Sequence, residues 1–207
     1  MDRVDLASVA RRPQQYWNVD GLPELMMGLL WMLWGGAWLI GDALPRGRMF
    51  AIYWTLTPAL LVLSGFAAIW ATKRLKARLT FPRTGYVEWR EPSRAERLAA
   101  AGIAMVTAAV LAGTVMRTGG TAQANAAPVL GVVLSLAFVV ASLRQRAPHY
   151  LALAAVAIAS GLALGALNGG WVSVNWMFLI LGVSSVVLGA VRLARFIRTH
   201  PLAEAAS

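Results

Sequence analysis

Six long apolar runs leave this chain little freedom in what it can fold into: Leu22–Gly41, Phe50–Thr72, Leu98–Met116, Asn125–Leu143, Tyr150–Leu167 and Val172–Val191. Each is 18 to 23 residues long, and together they take up 119 of the 207 residues. A helix rises about 1.5 Å per residue, so about 20 residues match a hydrocarbon core about 30 Å thick. Helices also satisfy their own backbone in lipid, whereas the alternating ten-residue segments of a membrane barrel are absent here. The expected fold class is an all-α integral membrane protein, with six transmembrane helices as three hairpins. Composition agrees, because 58% of residues are hydrophobic and only 14% charged, against about 25% charged in soluble domains.

The runs divide the chain into an interfacial N-terminal segment (1–21), a first hairpin (22–72), a basic-aromatic loop (73–97), a second hairpin (98–143), a third (150–191) and a tail (192–207). Helix starts are marked by Asp20 and Pro23, by the capping box Ser93-Arg94-Ala95-Glu96, by Asn125 and Pro128, and by Pro148. Asn168-Gly169-Gly170 predicts the turn between the fifth and sixth spans.

Sixteen Lys and Arg residues fall on the side of the termini and the 73–97 and 144–149 loops, and three (Arg46, Arg48, Arg117) on the other. The positive-inside rule then places both termini in the cytoplasm. The net charge of +10 follows from this asymmetry and gives no reason to expect nucleic acid as a partner. The polar first twenty residues do not resemble a cleavable signal peptide. With no cysteine, disulfides and thiolate metal sites are excluded.

The 73–97 loop, KRLKARLTFPRTGYVEWREPSRAER, carries eight basic and three acidic residues. Ala77–Phe81 and Tyr86–Arg90 alternate in character around Pro82-Arg83-Thr84-Gly85, which suggests a short β-hairpin at the membrane surface. One reading makes this a topology-setting loop with aromatic anchors. The other makes it a docking site for anionic lipid or a protein partner, with Phe81, Tyr86 and Trp89 at headgroup depth and Lys76, Arg78, Arg83 and Arg90 on phosphates.

Tyr16-Trp17, Asp20-Gly21-Leu22-Pro23-Glu24 and the loop pattern K-x-R-x-T-F-P-R-T-G-Y-V from Lys76 to Val87 resemble a group of bacterial six-helix inner-membrane proteins. That group has no established activity. The resemblance implies a bacterial inner membrane and leaves function open.

On the first helix, Glu24, Met27, Trp31, Trp34, Trp38 and Asp42 share one face, flanked by Gly28 and Gly35. Trp31 and Trp34 lie near mid-span, away from the interfaces where tryptophan gathers. Either the indoles fill grooves in the bundle, or they line a cavity for a lipid, quinone, pigment or lipophilic cation. Glu24 reads first as a solvated acid of the opening helical turn. Small residues at four-residue spacing, such as Ala157, Gly161 and Gly165, suit close helix packing within the chain or a homodimer.

Catalytic signatures are missing. The central turns of the spans hold no ionisable residue, which argues against a coupled pump. His149 and His200 are far apart and lack a local carboxylate cluster, and no phosphate-binding or nucleophile-elbow motif occurs. The expected function is a non-catalytic accessory or interaction component of the membrane, with no cofactor beyond bound lipid. The alternative is binding or transport of a lipophilic molecule beside the first helix.

Overall fold

A computed structural model describes residues 20–84, 94, 98, 120–145 and 147–201. Every regular element among them is helical. We number the long helices α1 (Leu22–Ala43), α2 (Arg48–Leu75), α3 (Gly120–Gln145), α4 (His149–Ala166) and α5 (Trp171–Thr199). α2 runs on without a break through a π turn (Lys76–Thr80) into a last α turn (Phe81–Thr84). These five are long and apolar enough to cross a membrane, which marks the chain as a membrane protein. The third expected span, Leu98–Met116, lies outside the described residues except for Leu98.

The first arm of the expected β-hairpin is corrected. Ala77–Phe81 is helical and continues α2, while Tyr86–Arg90 lies outside the described residues. Lys76 and Thr80 bond to one buried carboxylate, and a helical path brings residues four apart to one face where an extended path does not. The widened turn has a local cause in Pro82, which has no N–H for the Arg78 carbonyl and crowds it. The Phe81 N–H donates five residues back, to Lys76, the spacing of a π bulge.

Other punctuation follows the sequence in part. Pro23 sits in the first turn of α1, Pro148 caps α4, and positive φ at Asn168 (52°) and Gly170 (59°) makes the α4–α5 turn. Pro128 does not open its helix. α3 starts at Gly120 and carries Pro128 in its interior, where the pyrrolidine ring packs onto Gly165 of α4.

Two antiparallel seams hold the bundle. Gly21, Gly28 and Gly35 face Gly189, Gly182 and Asn175 across α1 and α5, at seven-residue spacing on both sides. Seven residues are nearly two turns, so the small positions stay on one face and the backbones approach closely. A Cβ on Gly28 would lie 2.6 Å from the Gly182 carbonyl oxygen, and one on Gly35 would lie 2.7 Å from that of Asn175. Gly131 and Gly161 form the equivalent contact between α3 and α4. The small-residue face of the fifth apolar run is thus used within the chain. Between the pairs lies an apolar core of Phe138, Tyr150, Leu153, Ala157, Met177 and Leu181. α2 leans on α1 and leaves Leu56, Leu60, Leu63, Phe66 and Trp70 exposed, as a lipid-facing helix would.

Gly28→Leu should destabilise the bundle by about 1–3 kcal/mol through overpacking of the α1–α5 seam. Gly36→Ala, on the same helix with nothing within 4 Å of its Cβ position, should leave stability unchanged or raise it. Thermal unfolding of both variants in one detergent checks the pair.

A buried ionic cluster as the candidate functional site

α1, α4 and α5 and the continuation of α2 meet at the end of the bundle where Arg74, Arg78, Arg144, Arg195 and Arg198 also gather. α1 enters this basic end through Gly21, whose φ of 73° is in the left-handed region. That turn directs Asp20 back over the helix, where its Oδ1 accepts the Leu22 N–H at 3.1 Å. Its Oδ2 accepts from Lys76 Nζ and from Thr80 Oγ1, both at 2.7 Å. The Lys76 and Asp20 side chains are 1% and 0% exposed.

One turn further along α1, Glu24 is also fully buried. Its Oε1 lies 2.7 Å from His149 Nε2 at the start of α4 and 2.7 Å from Arg192 Nη1 near the end of α5. Arg192 Nη1 and His149 Nε2 also contact one another. Oε2 has no hydrogen bond of ordinary geometry, although the Tyr150 hydroxyl interacts with the same carboxylate. Tyr150 stacks on Phe138 and packs its ring against His149. Two carboxylates are thereby matched by Lys76 and Arg192, which is the condition for burying such charges.

The structure divides the residues expected to dock lipid. Lys76 is inside, committed to Asp20. Arg83 donates to the His200 carbonyl at 2.8 Å, with Ile197 O at 3.4 Å, and so caps the C-terminal end of α5 where free carbonyls favour a cation. Arg78 is exposed and Phe81 half-buried; Tyr86, Trp89 and Arg90 lie outside the described residues.

The tryptophan face spreads over several neighbours. Trp31 meets Phe138 edge-on at 5.6 Å and Phe178 at 6.5 Å, and Met27 packs on the same core. Trp34 Nε1 donates to Ser64 of α2 at 3.2 Å, which supplies the acceptor a mid-span indole needs. Trp38 packs at a tilt against Trp54 of α2, with ring centroids 4.7 Å apart. Glu24 belongs to the ionic cluster and is not the solvated first-turn acid its position suggests. At the opposite end, Asn175 donates to Asp42 at 3.2 Å.

The sequence signs of this cluster were Asp20 and Glu24 at i, i+4, and Lys76 and Thr80 at the same spacing. His149 and Arg192 carry no such local sign, because their partner is 125 and 168 residues away. Among the described residues no group of three His, Cys, Asp or Glu could hold a metal ion. No known protein family, curated protein or solved structure matches this chain.

Asp20→Ala strands the Lys76 ammonium and should cost about 3–5 kcal/mol, whereas the double change Asp20→Leu with Lys76→Met should recover most of it. Thermal unfolding in detergent distinguishes the two variants. Arg78→Ala, at an exposed position, should unfold like the wild type.

Proposed function

We propose that this chain is a six-span, non-catalytic component of a bacterial inner membrane that docks anionic phospholipid through a cytoplasm-facing basic end. One observation carries the reading: the two described acids at that end are buried and already paired, while the exposed charges among the described residues there are all positive. Lys73, Arg74, Arg78, Arg144, Arg195 and Arg198 are exposed there with no exposed acid beside them among the described residues. Such an excess close to a headgroup layer attracts anionic lipid, and long Arg and Lys stems reach phosphate from the helix ends. Arg74 also lies over the Trp70 ring at 5.0 Å, a pairing suited to the interface.

Topology supports the sixth span. α2 finishes at the basic end, where Thr80 meets Asp20. α3 starts at the opposite end, where Ala126 and Ala127 pack with Val174. Thr84 and Gly120 therefore lie at opposite ends of the bundle, and Leu98–Met116, between them in sequence, is an apolar run of the right length for a crossing. An even number of crossings then keeps both termini on the arginine-rich side. The alternative of a tryptophan-lined cavity has weaker support, since the three indoles turn to different neighbours.

In a chain without native cysteine, single cysteines introduced at Leu44 and Gly169 should react with an impermeant thiol reagent from outside intact cells. Those at Gln145 and Leu202 should react only after permeabilisation. The reverse pattern, or 145 and 202 on different sides, would overturn the topology. For lipid docking, protein purified in mild detergent should carry anionic phospholipid by native mass spectrometry, and the combined Arg78→Ala, Arg195→Ala and Arg198→Ala protein should lose most of it. Equal retention of anionic and zwitterionic lipid by both proteins would end this reading.

A further inference from the structure

Among the described residues, α3 has one side with little against it. Ala127 and Gly131 close on Ala157 and Gly161 of α4, Ala126 packs with Val174 of α5, and Phe138 joins the central core. Val132, Leu136, Val140 and Leu143 lie on the remaining side and are 41%, 60%, 49% and 73% exposed. Their spacing keeps them in a single stripe along the helix.

The chain just before α3 supplies the neighbour. Only Arg117, Thr118 and Gly119 separate Met116 from Gly120, and four residue steps reach at most about 14 Å. Packed helices sit about 8–10 Å apart, so a span ending at Met116 has room to be a direct neighbour of α3 and little room to be anything else. The 85–97 segment on its other flank reaches about 46 Å and ties the run to no particular helix. α2 also has a bare side, with Leu60 60% exposed, but no short connection leads from the run to it.

We infer that Leu98–Met116 docks on the Val132–Leu143 stripe of α3 as its antiparallel partner, leaving the bare side of α2 to lipid. The inference rests on the sixth span proposed above and adds where that span packs. In an antiparallel pair joined by a short connection, residues equally distant from its middle share one depth. With Thr118 in the middle, Ala104 is level with Val132 and Ala100 with Leu136. Small residues four apart thus meet bulky ones four apart, so the backbones approach closely while branched side chains fill the space between them.

The chain has no cysteine of its own, so introduced pairs report the packing in native membranes. Under mild oxidation, Ala104→Cys with Val132→Cys, and Ala100→Cys with Leu136→Cys, should form disulfides within one chain, read by mass spectrometry as linked peptides from the band of monomer mass. Ala104→Cys with Leu60→Cys on α2, or with Ile158→Cys on the outer side of α4, should link several-fold less. Equal or greater linking to either of these overturns the proposal. So does failure of both α3 pairs, or their linking only at dimer mass, which would put a second copy on the stripe. The single variant Ala104→Cys separates this from the sixth span itself. If an impermeant thiol reagent modifies it in permeabilised cells, the run lies outside the membrane and both readings fall. If it stays unmodified while the α3 pairs fail to link, the span stands and its docking on α3 falls.

Discussion

Two carboxylates one helical turn apart, both cut off from solvent, set the terms for this bundle. Neither Asp20 nor Glu24 can be buried unless a cation reaches it, and the cations come from elsewhere in the chain: Lys76 beyond the end of α2 and Arg192 near the end of α5. The glycine seam makes the second meeting feasible. At Gly21 a Cβ would press on the Gly189 carbonyl and on the Arg192 Cβ, so the absence of a side chain there lets the guanidinium come alongside Glu24. Backbone proximity and charge pairing are therefore one arrangement, and loss of either weakens the other.

The apolar core plays a complementary part. Trp31, Phe138, Met177 and Leu181 join the α1–α5 pair to α3 and α4 through non-directional contact, which sets distance but not registry. Directional bonds at the basic end supply registry: Glu24 to His149 fixes α4 against α1, and Arg83 to the His200 carbonyl fixes the end of the α2 extension against α5. Hydrogen bonds to charged groups suit this role because a slipped register would leave a buried charge alone.

Much of this architecture was legible in the sequence. The apolar runs at 22–41, 50–72, 125–143, 150–167 and 172–191 correspond to the five helices, and Asn168-Gly169-Gly170 gave its turn away by composition. What failed did so where two structures share one local pattern. Lys76 to Phe81 alternates polar and apolar like a strand, yet Lys76 and Thr80 are also one helical turn apart, and only the position of Asp20 decides between them. Glu24 looks the same in sequence whether water or Arg192 faces it. Arg83 counts as one more loop cation until the end of α5 is seen beneath it. Local periodicity carries helix positions well, but partners more than a hundred residues away leave no mark on it.

The helix running from Arg48 to Arg83 is 36 residues long, about 54 Å at the ordinary rise, against about 30 Å of hydrocarbon. α1, at 22 residues, fits that thickness with almost nothing to spare. The pair Asp20–Lys76 joins the end of the fitted helix to a point far along the overlong one, so in a bilayer that α1 just spans it would lie where hydrocarbon gives way to headgroups. A thicker bilayer would draw that junction toward the oil and a thinner one would lift it into water, altering the cost of keeping its charges enclosed. The bundle is thereby tied to the thickness of the membrane that holds it.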